Sequence, residues 1–214
     1  MVTLDVSVPS PRSLEKAKLF FGEDAVSGHD KDEENYRKDT IQDLVRARSG
    51  WLLLFFVGLM LAAVVVEAFE AVLREHVELS YFVPLLIGHG GNTGSQSNAT
   101  VIRALALGHL RPSDWMMVVW KECAAGTVMG GGLGVVIMAF CYLWSGISTQ
   151  VGVTVAISLP VVSLWANLLG GVFPLLSSHL GFNPAVTSAP LMTTVVDSTG
   201  LILYFGIAKA VMGI

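Results

Sequence analysis

The sequence predicts an all-α integral membrane protein with five transmembrane helices, and its composition and charge pattern support this prediction. Hydrophobic residues make up 53% of the 214 residues, and the mean hydropathy is +0.64. Charged residues make up 14%, whereas soluble domains carry about a quarter. Residues 1–50 hold 18 of the 30 charged side chains, and residues 123–208 hold one, Asp197. This asymmetry predicts a polar arm at 1–48 and a membrane domain at 49–214.

Five mostly apolar segments are long enough to cross a bilayer, which requires about 20 residues. Helix-ending or capping residues lie at each joint between them, in REH, GHLRPSD, SGISTQ and SSHLGFNP. The second segment starts apolar and then becomes rich in Gly, Asn, Ser and Gln. Before the first, DTIQDLVRAR predicts a short amphipathic helix that leads into the membrane. The predicted spans cover residues 51–71, 79–107, 114–144, 151–176 and 183–212.

The basic residues near the predicted helix ends indicate an orientation. One side carries Arg37, Lys38, Arg46, Arg48, Arg103 and Arg111. The other side carries Arg74 and Lys209. Because basic residues favour the cytoplasmic side, we expect a cytoplasmic N-terminus and an external C-terminus in a plasma or inner membrane. The first 18 residues lack the apolar stretch of a secretory signal peptide, so insertion is expected to rely on the internal helices.

Asp197 is the first candidate functional residue. A carboxylate at the centre of a transmembrane helix costs about 2.5–3.5 kcal/mol to insert. No Lys or Arg lies within its span before Lys209. In a helix, Thr193, Thr194 and Gly200 share its face. This stripe predicts a cation site in a pore, formed by a fixed charge, hydroxyls and a glycine that exposes backbone. The alternative is a protonated Asp that hydrogen-bonds a neighbouring helix.

The second candidate is the polar stretch PLLIGHGGNTGSQSNA at residues 84–99. Six of the seven positions from Asn92 to Asn98 are amides or hydroxyls, which are costly in lipid unless they face protein or water. Such groups suit a hydrated Mg²⁺, which loses its water reluctantly. The alternative is helix packing through the GxxxG pair Gly90 and Gly94. The predicted pore-lining residues are Asn92, Gly94, Ser95, Gln96 and Asn98, together with Pro190 and Thr194 of the fifth span.

Other polar and small residues have simpler interpretations. Glu67 and Glu70 share a face near the outer end of the first span, where they could collect cations at the pore mouth or snorkel at the headgroups. His89 is expected to be structural. Close helix packing explains the glycines of the third span better than a pore does. These glycines are Gly126, Gly130, Gly131, Gly132 and Gly134.

Several classes of function find no support in the sequence. Cys123 and Cys141 match no metal spacing and no disulfide framework, so we expect them to be packing residues. No nucleophile–base set, P-loop or dinucleotide motif occurs, so an enzyme is not expected. The net charge of −4 sums a solvated arm and an apolar body, and it does not indicate a nucleic-acid partner.

Two long motifs resemble those of the MgtE-type magnesium channels. GHGGNTGSQSNATVIRALALG resembles their second-helix signature, and NPAVTSAPLMTTVVDSTGLILYFGIAKAVM resembles their fifth helix. The resemblance extends in order over residues 46–212. It implies a homodimer in the bilayer, with a pore on its two-fold axis lined by the second and fifth helices. By the same resemblance, Asp197 of each chain binds a largely hydrated Mg²⁺. Backbone carbonyls at Thr193 and around Gly200 would hold the water shell.

The sequence departs from that family in three places. Members usually carry a large cytoplasmic N-terminal domain and a CBS pair that sense Mg²⁺. We expect the arm to be too short for these domains, and a regulatory partner is one possible replacement. Ala189 stands before Pro190 where the family often has Asn, and Ser95 stands where Asn is common. Both changes could alter ion entry or selectivity.

The leading hypothesis is a homodimeric channel for a divalent cation, most simply Mg²⁺. A carrier that exchanges Mg²⁺ for Na⁺ or H⁺ is the first alternative, and a non-transporting membrane scaffold is the second. The ion is also open, since carboxylate, carbonyl and water ligands suit Mg²⁺, Ca²⁺ and Mn²⁺ alike. Co²⁺ is a further candidate.

Overall fold

The structure, a computed structural model, describes residues 40–144, 146–180 and 184–213. Residues 1–39 of the predicted polar arm lie outside the described residues. The described residues form α-helices with no strand among them, which confirms the all-α prediction. In chain order the helices are α1 Ile41–Ala68, α2 Glu70–Glu75, α3 Glu78–Ala106, α4 Trp115–Leu143, α5 Thr149–His179 and α6 Pro184–Met212. A 3₁₀ turn, Pro112–Asp114, precedes α4.

Each of the five long helices overlaps one predicted span. By length and composition, three helical segments of the described chain could cross a membrane: Pro112–Leu143, Thr149–His179 and Thr187–Met212. The first predicted span contributes the shorter apolar helix Phe55–Ala68. The second, α3, has 29 residues, but its amides and hydroxyls lower its hydropathy. The segment DTIQDLVRAR, for which a short amphipathic helix is predicted, is helical from Ile41 onward and continues into the first span as part of α1.

Helix α5 lies at the centre of the bundle and packs against α3, α4 and α6, while α1 packs against α6. Helices α3 and α5 run in the same direction, because Gly90 lies beside Val162 and Gly94 lies beside Ala166. Helices α5 and α6 run in opposite directions. Two hydrogen bonds show this: Trp165 Nε1 donates to Thr199 Oγ1 (2.7 Å), and Thr187 Oγ1 donates to Ser177 Oγ (3.2 Å).

Glycines allow α4 to pack closely against α5 in the antiparallel direction. A Cβ atom at Gly126, Gly130 or Gly134 would lie 2.5–2.6 Å from backbone atoms of α5. These glycines recur every four residues and therefore share one helical face. Gly131 and Gly132 have no neighbouring atom within 4 Å of a built Cβ. The packing prediction is therefore confirmed for the three glycines on the α5 face and wrong for these two.

An apolar core joins α3, α5 and α6 at the end of the bundle where α3 begins. Leu79 and Tyr204 are fully buried there, and the Tyr204 hydroxyl donates to the Leu79 carbonyl at 3.0 Å. The Glu78 carboxylate accepts the Ser148 backbone N–H at 2.7 Å, which connects the start of α3 to the start of α5. Both cysteines are free thiols, and Cys141 is buried in this core, as its predicted packing role requires.

Candidate functional site

Asp197 lies in the middle of α6 and is half-buried. Among the residues that the structure describes, none forms a hydrogen bond or an ion pair with its carboxylate. Lys209, the basic residue in the last turn of α6, instead places its Nζ atom 5.9 Å from the centre of the Phe69 ring. Asp197 and Lys209 are thus the two charged residues of α6, and the structure does not pair them with each other.

Pro190, Thr193 and Thr194 precede Asp197 in α6 by one to two helical turns. Pro190 lies inside the helix and has no N–H to donate. Its carbonyl accepts the hydroxyls of Thr193 (3.0 Å) and Thr194 (2.9 Å). Thr193 is half-buried and shares the face of Asp197, one turn away. The methyl group of Thr194 packs against Gly58 of α1, where a Cβ atom would overlap it, so Thr194 is turned toward α1.

Gly200 lies one turn beyond Asp197 and is buried. The nearest atom to a Cβ built there is Val162 Cγ1 of α5, at 3.8 Å. The position would therefore accept a small side chain sterically, and close packing alone does not require this glycine. The predicted roles of the Thr193 and Gly200 carbonyls in holding an ion's water shell stay predictions.

The polar stretch of α3 divides into two faces. On one face, His89, Thr93 and Ser97 recur every four residues and contact α5. His89 Nε2 lies 2.6 Å from Ser163 Oγ, and the Thr93 hydroxyl hydrogen-bonds the side-chain amide of Asn167 at 2.8 Å. The Ser97 hydroxyl donates to the Asn167 carbonyl at 3.1 Å. This face is a hydrogen-bonded contact within one chain, as expected for a structural His89.

The other polar face of α3 consists of Asn92, Ser95 and Gln96, which are all exposed. Their side chains form no hydrogen bond within the described part of the chain. In a helix that crosses hydrocarbon, such groups must face protein or water. We call this face the open polar face, because its side chains have no hydrogen-bond partner in the part of the chain that the structure describes.

Gly94 and Asn98, the other two predicted pore-lining residues of α3, are buried between helices. A Cβ atom at Gly94 would lie 2.5 Å from Met192 Sδ and 3.0 Å from the Ala166 carbonyl. Asn98 is 1% exposed, and its Oδ1 atom accepts the Ser188 hydroxyl at 3.2 Å. The structure thus places both between helices rather than on the open polar face, because α6 and α5 approach α3 closely at these positions.

The register between α3 and α6 sets the depth of the candidate residues. Along this antiparallel contact, three pairs face each other: Gly90 and Val196, Gly94 and Met192, and Asn98 and Ser188. Continuing this register places Asn92 level with Thr194 and Gln96 level with Pro190. The open polar face and the α6 face from Pro190 to Asp197 therefore occupy neighbouring depths in the bundle.

Glu67 lies in the last turn of α1, and Glu70 is the first residue of α2. The helix is interrupted at Phe69, between the end of α1 and the start of α2. Both carboxylates are exposed, and Glu70 pairs with Arg74 at 2.7 Å. An exposed pair of this kind contributes little stability. Their role at an outer mouth stays a prediction.

The described residues contain no group of three or more His, Cys, Asp or Glu side chains that could hold a metal ion. Asp197 is the one acidic residue of α6, and the hydroxyl-bearing residues Thr193 and Thr194 lie about one turn before it. Ser163 and Asn167 of α5, which contact the first polar face of α3, are not among the residues predicted from the sequence. Their signal in the sequence is a hydroxyl and an amide one turn apart in the middle of α5, with only apolar residues between them.

Comparison with known proteins supplies the family. The model of the MgtE family, described as divalent cation transporter, matches residues 83–207. The magnesium transporter MgtE of Thermus thermophilus is 37% identical over 166 residues, which cover 78% of this chain. Those of Bacillus subtilis and Enterococcus faecalis are 34% and 33% identical over 76% and 77% of it. The aligned region covers 36% of each of these relatives.

The matched region contains α4 and α5, nearly all of α3, and α6 as far as residue 207. It therefore includes Asp197 and the whole open polar face of α3. On this match, the chain belongs to the MgtE family.

Proposed function

We propose that this chain moves a divalent cation, foremost Mg²⁺, across a membrane through a pore that two copies form together. The observation that carries the proposal is the Asp197 carboxylate, which lies inside an apolar helix without a partner among the described residues. Intramembrane carboxylates typically mark ion pathways. Three relatives that match most of this chain are named magnesium transporters.

In this proposal α1, α3, α4, α5 and α6 each cross the bilayer once. The helix directions support it, since α3 and α5 run one way and α4 and α6 run the other. Helix α1 is parallel to α6, because Gly58 contacts Thr194, and the Phe69 ring, just after α1, stacks on the Phe205 ring with 5.0 Å between the ring centres. Five alternating spans give termini on opposite sides, with the N-terminus in the cytoplasm.

A two-fold dimer would solve two physical problems of the single chain. It would bring a second Asp197 to the site, since residues near a two-fold axis meet their own copies. It would also cover the open polar face, so that Asn92, Ser95 and Gln96 line a shared aqueous path instead of facing lipid.

The donor set suits an ion that keeps its water. Mg²⁺ usually keeps several waters and binds through one or two carboxylates. Two Asp197 carboxylates would supply charge, while Thr193, Asn92 and Gln96 would orient the water shell by hydrogen bonds. Mn²⁺, Co²⁺ and Ca²⁺ accept oxygen ligands as well, so the ranking among these ions decides the substrate.

Ion flux into liposomes that contain the purified chain tests the proposal. We expect Mg²⁺ to enter down its gradient, faster than Ca²⁺ and without Na⁺ or a pH gradient on the opposite side. Flux that requires Na⁺ or a proton gradient would replace the channel with an exchanger. Faster entry of Mn²⁺ or Co²⁺ would change the substrate, and an absence of flux for all four ions would contradict the transport proposal.

The dimer makes a separate prediction for the open polar face. In a chain whose own cysteines are replaced (Cys123→Ser, Cys141→Ala), we expect Gln96→Cys to form covalent dimers with a short bis-maleimide in membranes. Tyr142→Cys is the matched control, because Tyr142 is 87% exposed on α4 and outside the proposed interface. Equal dimer yields for the two variants on denaturing gels would refute an interface at the open polar face.

A further inference from the structure

A groove of about 500 Å³ lies between the start of α4 and the end of α5. Val172, Leu175 and Leu176 of α5 and Trp115 of α4 form its apolar walls, and Ser113 and His179 add polar groups to its lining. Leu176 and Trp115 are 47% and 52% exposed, so the groove opens to the surface of the bundle. It lies at the end of the bundle where α3 finishes, because the groove residue Leu175 packs in one cluster with Leu105 of α3.

One basic residue, Arg111, adjoins the groove lining in the chain. Arg111 directly precedes the groove residue Pro112, is exposed, and forms no ion pair within the described part of the chain. The acidic residue in this turn is Asp114, whose carboxylate accepts the Arg111 backbone N–H at 2.8 Å and the Ser113 hydroxyl at 3.4 Å. Asp114 therefore caps the turn, and the guanidinium of Arg111 keeps its charge for another partner.

A second groove between the same two helices provides a comparison. Its volume is about 660 Å³, and its lining includes Gly131, Met138, Tyr142 and Ile157. No charged residue lines it. The two grooves thus share apolar walls from α4 and α5. Only the first has an imidazole in its lining, that of His179, and only the first directly follows an arginine in the chain.

We propose that the groove beside Arg111 binds an anionic phospholipid. One acyl chain would lie along Leu175, Leu176 and Trp115, and the phosphate would lie at Arg111 and His179. Trp at the membrane–water interface and basic groups between helix ends are the features that attract anionic headgroups. The inference depends on the membrane placement of the proposed function and is independent of ion conduction, because no pore residue takes part.

The test measures the thermal unfolding midpoint of the purified full chain in detergent. Dioleoyl phosphatidylglycerol and dioleoyl phosphatidylcholine are added in parallel, because they share acyl chains and differ in charge. We expect phosphatidylglycerol to raise the midpoint by about 2–4 °C more than phosphatidylcholine, as one basic contact at a lipid headgroup predicts. Arg111→Ala should remove this difference.

Two variants and one small anion control the interpretation. Lys121→Ala also removes an exposed positive charge from α4, away from the groove, and should keep the difference. Leu176→Trp, which fills the groove, should remove it. Glycerol 3-phosphate has the phosphate without acyl chains and should have no effect. Native mass spectrometry of the same variants counts retained phosphatidylglycerol, so a variant with a lower basal midpoint remains informative.

Three results would overturn the proposal. They are equal stabilisation by the two lipids, equal losses in Arg111→Ala and Lys121→Ala, and full stabilisation by glycerol 3-phosphate alone. The last result would indicate a simple anion site. None of these results bears on ion flux, so a failure here leaves the proposed transport function untouched.

Discussion

Asp197→Asn is expected to reduce Mg²⁺ flux into liposomes to the level of protein-free controls. Asn keeps the size of the side chain and one of its two oxygens, replaces the other with an NH₂ group, and removes the negative charge. At 4 Å and an effective dielectric constant of 20, each pair of unit charges attracts by about 4 kcal/mol. In the proposed dimer both carboxylates disappear at once, so a divalent ion loses its attraction to the centre of the pore.

The fold should survive this substitution, because the Asp197 carboxylate has no partner among the described residues that its loss would leave unpaired. Ser198→Ala is the neighbouring control. Its hydroxyl contacts the Thr194 carbonyl at 3.5 Å, outside the proposed ion path, and flux should remain near the wild-type rate. Wild-type flux in Asp197→Asn, with the protein folded and dimeric, would exclude this carboxylate as the ion site.

Gly130→Ala is expected to destabilise the bundle, although it adds only one methyl group. The new Cβ atom would lie 2.6 Å from Pro160 Cα and 2.7 Å from the Leu159 carbonyl, both backbone atoms of α5. Backbone cannot move aside as a side chain does, so α4 and α5 must separate. Overpacking of this kind costs about 1–3 kcal/mol. The free energy of unfolding in mixed micelles, titrated with SDS, measures the loss.

Gly132→Ala is the matched control two residues along the same helix. No atom lies within 4 Å of its built Cβ, and alanine favours helix over glycine by about 1 kcal/mol. Its stability should therefore equal or slightly exceed that of the wild type. If both variants lose the same free energy, helix separation is not the cause, and the close α4–α5 contact would be refuted.

Much of the fold follows from local chemistry along the chain. The segments rich in Leu, Val and Ala predict the five long helices, because apolar runs of this length satisfy their backbone only as helices in lipid. The predicted helix boundaries agree less well with the structure than the predicted helices themselves. Helix α1 begins at Ile41, and α5 continues to His179, three residues beyond the predicted end. Nothing in the composition of these joints marks where a helix continues into the interface.

Asp197 was identifiable from the sequence as a candidate functional residue, since a lone carboxylate in a long uncharged stretch has few structural explanations. The polar stretch of α3 was identifiable as unusual, but its division into two faces was not. His89, Thr93 and Ser97 differ little in chemistry from Asn92, Ser95 and Gln96. Which set bonds to α5 and which remains open depends on how α3 is rotated against its neighbours.

Residue type and spacing alone predict the helical class, the membrane character and Asp197 as the one charged residue between positions 123 and 208. Which small residues make contacts depends instead on how the helices pack. Gly126, Gly130 and Gly134 face α5 while Gly131 and Gly132 do not, and Gly94 and Asn98 lie inside the chain while Ser95 is open. The physical reason is that a helix offers residues to all sides equally, and only the packing of other helices against it determines which side is buried.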